Sequence, residues 1–199
     1  MAERSALSLQ SVVVESARPR EREVLDTALR EVGFVPNMYA NMVNAPALLE
    51  TYLVGYRLFR KEAGFTPAEQ EVVFLSISFE NECAYCMAAH STLADTKSRV
   101  PRAVTEAIRR GEPVPDAKLG TLSRFTRALV VKRGRPSQDE LAAFLAAGYT
   151  ERQVLYLVLA VGVKTLSNYS NHLFDTSVDA IFSARTWESS RRETAPALG

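Results

Sequence analysis

From Glu21 onward, apolar positions recur every three or four residues, and Pro or Gly interrupts the pattern at intervals of about ten to twenty. This is the pattern of successive helices joined by short turns, and the period-two alternation of half-buried strands is nearly absent. It predicts an all-α chain with helices over 20–31, 46–62, 67–81, 83–98, 101–110, 116–133, 138–147 and 151–173. Three helix starts are chemically explicit: Thr66-Pro67-Ala68-Glu69, Ser137-Gln138-Asp139-Glu140 and Thr150-Glu151-Arg152-Gln153. Each places a hydroxyl at the N-cap and a Glu or Gln three residues on, so that the two side chains satisfy orphan backbone donors reciprocally. Pro67 stands at the first helical position, where its missing N–H costs nothing.

Sliding the chain by 84 positions aligns Gly64-Phe65-Thr66 with Gly148-Tyr149-Thr150, then a run of apolar positions, then Tyr85 with Tyr169. Cys83 and Cys86 then fall on Ser167 and Ser170. The register reads as a weak internal duplication of a capped, buried helix in which only the first copy carries thiols. The expected organisation is an N-terminal arm over 1–19, containing the β-branched run Val12-Val13-Val14 and suited to docking. One helical domain over 20–184 follows, then a frayed tail over 185–199 that holds Arg191-Arg192-Glu193 and Ala195-Pro196.

Composition narrows the function. The 199 residues carry a formal charge of +1, and 47% of them are hydrophobic. Nothing suggests a phosphate-tracking or membrane-surface protein, so neither nucleic acid nor membrane is an expected partner. Met1-Ala-Glu-Arg-Ser leads into no apolar signal region, and the most apolar stretch, Val154 to Val163, is too short to span a bilayer. A cytoplasmic location is expected. The two cysteines, three positions apart, cannot form the multi-bridge framework of a small secreted domain, which makes a chemical role the natural one.

At about 100° per residue, Cys83, Cys86 and His90 share one helical face. The short reach between the sulfurs suits a reversible disulfide on the first turn of a helix, with Asn81 or Glu82 placed to cap it. Backbone donors and the positive helix end favour thiolate over thiol there. The dipole favours Cys83. His90, one turn after Cys86, favours Cys86 as the activated sulfur, and the nearby base is given the greater weight. Glu71 belongs to the preceding helix, whose run Val72-Val73-Phe74-Leu75-Ser76-Ile77 directly after it is apolar almost all round and is expected to be buried. A buried carboxylate needs a partner, and a His or a water leading to the thiols would satisfy it while raising the basicity of the imidazole.

Glu71, Cys83, Cys86 and His90, at this spacing, resemble the signature of the alkylhydroperoxidase D-like branch of the carboxymuconolactone decarboxylase family. Pro36-Asn37-Met38-Tyr39, the Gly64-Phe65-Thr66 turn and Asn171-His172 followed by Thr176 and Asp179 are similar to that family as well. The resemblance covers roughly residues 30 to 182. It implies an all-helical fold, assembly as trimers or hexamers, and an antioxidant peroxidase cycle on a hydroperoxide, most naturally an organic one. Cys86 would attack the peroxide and become a sulfenic acid, Cys83 would condense with it, Glu71 and His90 would relay protons, and an external dithiol would reduce the disulfide, with no further cofactor. Where the better-known peroxidase of the family has a second His between its cysteines, this chain has Tyr85, read as a pocket wall or interface aromatic. Tyr85 and His172 are accessory candidates.

Four other readings stand beside this one. The cysteines could be small core residues, or, with His90 and a fourth ligand such as His172, a structural zinc site. The pair could also serve a redox sensor or docking module without turnover. A lactone decarboxylase, the other activity in the family's name, works without a cysteine pair.

Overall fold

The computed structural model describes residues 6–189. Among them are nine α-helices and no strand: α1 (Pro19–Val32), α2 (Asn37–Met42), α3 (Pro46–Glu62), α4 (Pro67–Glu80), α5 (Ala84–Thr96), α6 (Arg102–Arg110), α7 (Ala117–Val131), α8 (Gln138–Ala146) and α9 (Glu151–Phe174). Short 3-10 turns lie at Val14–Ser16 and Ala180–Arg185. All three capping boxes form, at Thr66 with Glu69, Ser137 with Glu140, and Thr150 with Gln153. Gly64 and Gly148 have φ of +70° and +89°, in the left-handed region that glycine enters without steric penalty, just ahead of the first and third boxes.

The eight expected helices are present, with ends moved by at most two residues. The short α2 has no predicted counterpart, because six residues give too few turns to establish a period.

The centre of the bundle is α4, buried from Glu69 to Phe79 and packed against α5, α6, α7 and α9. Two apolar clusters share the interior. One is built around Phe74, Phe125, Phe144 and Leu157. The other gathers Leu25, Met42, Leu49 and Tyr52 from the first three helices against Cys83, Cys86 and Val163. The thiols therefore sit where the N-terminal helices close over α5 and α9.

Both ends of the described segment pack back onto this body. In the arm, the Val12 amide donates to the Ala40 carbonyl at 2.9 Å, Ser11 Oγ donates to Asn41 Oδ1, and Val12 and Val14 join the thiol-side cluster. At the other end, the boundary at 184 falls within a packed segment. Arg185 pairs with Asp95 and Glu106, and Trp187 packs on Phe79 while its Nε1 donates to the Arg109 carbonyl. Arg191-Arg192-Glu193 and Ala195-Pro196 lie outside the described residues.

Candidate active site

The chain reverses between α4 and α5 in a corner of three residues. Asn81 caps α4 at its C-terminus, Glu82 takes the left-handed conformation at φ +54°, and Cys83 is the N-cap of α5. Expected as caps, neither Asn81 nor Glu82 bonds the first turn of α5, whose N-cap has no side-chain bond. The Asn81 amide is instead drawn to α9, donating to Asn168 Oδ1 at 2.9 Å. With Cys83 outside the first turn, Cys86 is the cysteine that stands within it, so the helix end and the neighbouring groups act on the same sulfur.

Both thiols are reduced and buried, Cys83 with no exposure and Cys86 with 2%. Burial, followed by the neighbouring Cys86, pushes the Cys83 thiol well above the ordinary range. Burial acts on Cys86 in the same direction, but a hydrogen bond from Cys83 and, after it, the charge of Lys164 outweigh it and bring Cys86 well below that range. One protonated and one ionised sulfur, arranged as donor and acceptor, is the state these surroundings favour.

Glu71 and His90 meet as the spacing suggested. His90 Nδ1 lies 2.8 Å from Glu71 Oε2, both side chains almost fully buried, and the other carboxylate oxygen accepts from Arg60 at 2.6 Å. Burial alone would raise the Glu71 pKa; His90 and Arg60 hold it below its usual value instead. Burial, then the positive charge of Lys164, lowers the pKa of His90. The imidazole is therefore neutral, with its proton on Nδ1 toward Glu71 and a lone pair on Nε2.

That lone pair does not face a sulfur. Nε2 is met at 3.0 Å by Nζ of Lys164, a residue of α9 with no exposed surface. Phe74 forms the floor beneath this row: its ring lies 4.9 Å from that of His90, with Arg60 over it at 4.8 Å and Lys164 Nζ at 5.7 Å from its centre. Two turns along α9, Asn171 Nδ2 donates to Cys86 Sγ at 3.4 Å and to Cys83 Sγ at 3.6 Å, while its Oδ1 is buried without a partner.

Lys164, Asn171 and Arg60 are thus members of the site that the local pattern passed over. Lys164 did carry a signal: it is the one charged residue between Arg152 and Asp175. A lone charge in an apolar helix needs a buried partner as much as Glu71 does.

The accessory candidates part company. Tyr85 is buried, its hydroxyl donates to Asp179 Oδ2, and its ring packs edge-on against Phe182. His172 is exposed on the outer side of α9, near the ring of Tyr169. The zinc reading therefore loses its fourth ligand, and among the described residues no three His, Cys, Asp or Glu side chains gather as a metal site requires. No helix among those residues is long and apolar enough to cross a membrane.

A cavity of about 510 Å³ opens onto this centre. Cys86, His90 and Lys164 meet at one end of it, and Phe34, Tyr39, Tyr52, Tyr56, Tyr85 and Phe182 contribute aromatic rings to its wall; Cys83 lies outside the lining. Glu31 and Lys97 are exposed at its edge. The sulfur facing the cavity is therefore the one whose ionisation is favoured.

The fold is the all-helical one of the alkylhydroperoxidase D core. The chain is similar to a peroxidase-related protein from Ralstonia eutropha JMP134, an alkylhydroperoxidase AhpD core (TM-score 0.74, 17% identity, covering 87% of this chain and 93% of that one). It is similar also to a peroxidase-related protein from Silicibacter sp. TM1040 (TM-score 0.72, 19% identity, 92% and 96% covered). A third likeness is to the debrominase Bmp8, solved as a cysteine-to-alanine variant with 2,3,4-tribromopyrrole (TM-score 0.71, 15% identity, 91% and 97% covered). No family model matches the sequence, and no curated protein matches it.

Proposed function

We propose that the protein is a thiol-dependent peroxidase that reduces organic hydroperoxides through a Cys86–Cys83 dithiol/disulfide cycle. The observation that carries this reading is the asymmetry of the pair: Cys86 is held toward thiolate and lines an apolar cavity, whereas Cys83 is held as a thiol behind it. A thiolate facing the cavity is the nucleophile that a peroxide oxygen requires, and a neighbouring thiol resolves the sulfenic acid before it oxidises further. Glu71 and His90 form the polar chain behind the reacting sulfur. A dithiol donor restores the pair by exchange.

Cumene hydroperoxide consumption driven by dithiothreitol tests the cycle. Cys86→Ser is expected to abolish it, and Cys83→Ser to leave a sulfenic acid on Cys86 that dimedone traps. Full turnover in both single variants would end the proposal.

The aromatic wall of the cavity favours one second reading, reductive removal of halogen from an aromatic ring. Oxidation of the two thiols to a disulfide supplies the two electrons that replace a carbon–bromine bond with carbon–hydrogen and release bromide. The likeness to a debrominase names the probe: bromide release from 2,3,4-tribromopyrrole with dithiothreitol present. No bromide release by a protein active on peroxide would reject it.

A further inference from the structure

Lys164 is a fully buried amine at the end of the cavity that also holds Cys86 and His90. Both ring nitrogens of His90 are engaged, Nδ1 by Glu71 and Nε2 by Lys164. The imidazole thus has no free nitrogen for the thiol, and a direct transfer from sulfur to His90 would first have to break the contact with Lys164. We infer that Lys164 is a catalytic residue of the thiol centre, holding Cys86 as thiolate and giving its proton to the oxygen that leaves the peroxide. Glu71 and His90 are then positioning residues, which fix the amine at the cavity's end by an acceptor on Nε2.

This deepens the peroxidase reading and rests on it for its substrate. The Cys86 thiolate attacks the distal peroxide oxygen, the O–O bond breaks, and Cys86 becomes a sulfenic acid. The departing alkoxide takes a proton from the Lys164 ammonium and leaves as an alcohol, with Lys164 a neutral amine. Cys83 then attacks Cys86, the S–OH bond breaks, and its thiol proton leaves with the hydroxide as water. The dithiol reductant returns two electrons and two protons; one proton restores the Cys83 thiol and the other restores Lys164 once Cys86 ionises again. A donor within the cavity spares the alkoxide from leaving unprotonated in an apolar site, where a bare anion is costly.

The groups that could shape the titration of Cys86 lie on every element around it. Tyr39 on α2, Tyr52 and Tyr56 on α3 and Tyr85 on α5 are all raised by burial and stay neutral at physiological pH. Arg60 on α3 is tied to Glu71 on α4, and Cys83 is held protonated. Among the described residues, Lys164 is the cation facing Cys86 that no carboxylate neutralises: its partner is the neutral imidazole.

The test uses the reduced, full-length protein and two readouts, neither of which needs the other. The first is the pH dependence of thiolate absorbance at 240 nm, with the rate of Cys86 alkylation by iodoacetamide at pH 7. The second is the rate of cumene hydroperoxide reduction. Lys164→Met is expected to move the thiolate midpoint upward by about one pH unit or more and to slow alkylation at least about tenfold, one unit being one decade of thiolate. Lys164→Arg should keep alkylation within about threefold while peroxide reduction falls more than about tenfold, because a guanidinium supplies charge but does not surrender a proton. An unmoved midpoint in Lys164→Met overturns the inference. If that variant does not fold, Lys164→Arg decides alone, and equal retention of both rates overturns it. A wild-type protein without peroxide turnover would sink the peroxidase reading and leave the thiolate test of Lys164 standing.

Discussion

The segment from α4 into α5 and the single helix α9 begin alike and end differently. Each opens with a left-handed glycine, an aromatic residue and a threonine capping box, 84 residues apart, and the two aromatics, Phe65 and Tyr149, pack with ring centres 5.8 Å apart. The first segment stops after 14 residues and turns at Asn81 and Glu82, which frees Cys83 to cap a new helix and sets Cys86 on its first turn. The second runs on for 24 residues. At the positions in register with the cysteines, its Ser167 and Ser170 spend their hydroxyls on carbonyls of their own helix. Its contribution to the centre comes instead from Lys164 and Asn171, and the corner itself is tied to it by Asn168. One segment supplies the sulfurs, whose mutual contact sets them apart, and the other adds an amine and an amide beside them. The difference follows from a single interruption of the helix, since an unbroken α4 would carry the cysteines mid-helix, without a first turn's free N–H groups.

The comparison can be broken at several depths. The largest effect is expected from exchanging serine into the two segments: Cys86→Ser should remove peroxide turnover, whereas Ser170→Ala should leave it unchanged, both read by the same peroxide assay. Next comes the pair Glu71 and Leu155, which occupy equivalent register positions, the first 1% exposed and the second 71%. Glu71→Gln strips a buried charge from Arg60 and should cost about 3 kcal/mol in urea unfolding at neutral pH. Leu155→Gln should change stability by less than about 0.5 kcal/mol.

The Glu71 effect also has a pH signature. Its folded pKa lies below the ordinary 4.5, so its contribution is present above that pH and fades as pH falls through the folded value. The gap in unfolding midpoint between wild type and Glu71→Gln should accordingly narrow below pH 4.5; a gap that widened there would reverse the assignment. Smallest are the caps. Thr66→Ala and Thr150→Ala should each lower stability by about 1 kcal/mol, with the first the larger because Glu69 also serves Tyr149 and Lys118. Equal losses in thermal unfolding would show that those extra partners of Glu69 contribute little.

Much of this was legible in the chain. The capping boxes, the glycine turns and the helical period are local, and they located the eight longer helices. The Glu71 to His90 contact was legible because a carboxylate beside the apolar run Val72–Ile77 demands a partner and a His near the thiols could supply it, whereas its second partner, Arg60, left no such sign. What escaped is tertiary. The cap of α5 depends on where the backbone enters the left-handed region at Glu82, a choice that its side chain does not announce. His172 and Asn171 differ by one position, yet about 100° of helical rotation puts one outside and the other against both sulfurs. Lys164 is 74 residues from His90, and only the packing of α9 beside α5 brings them together. The aromatic cavity likewise draws on five separate helices and the segment after α9.

That last segment is a sieve set apart from the reacting groups. Ile181 and Phe182, which close one side of the cavity, are held by Asp179, whose carboxylate accepts from the Tyr85 hydroxyl and the Asn37 amide. The sulfurs, the amine and the buried carboxylate of the centre lie on or beside α4, α5 and α9 instead. Changes of size at Ile181 and Phe182 should therefore alter which molecules reach the thiol while leaving its own chemistry in place.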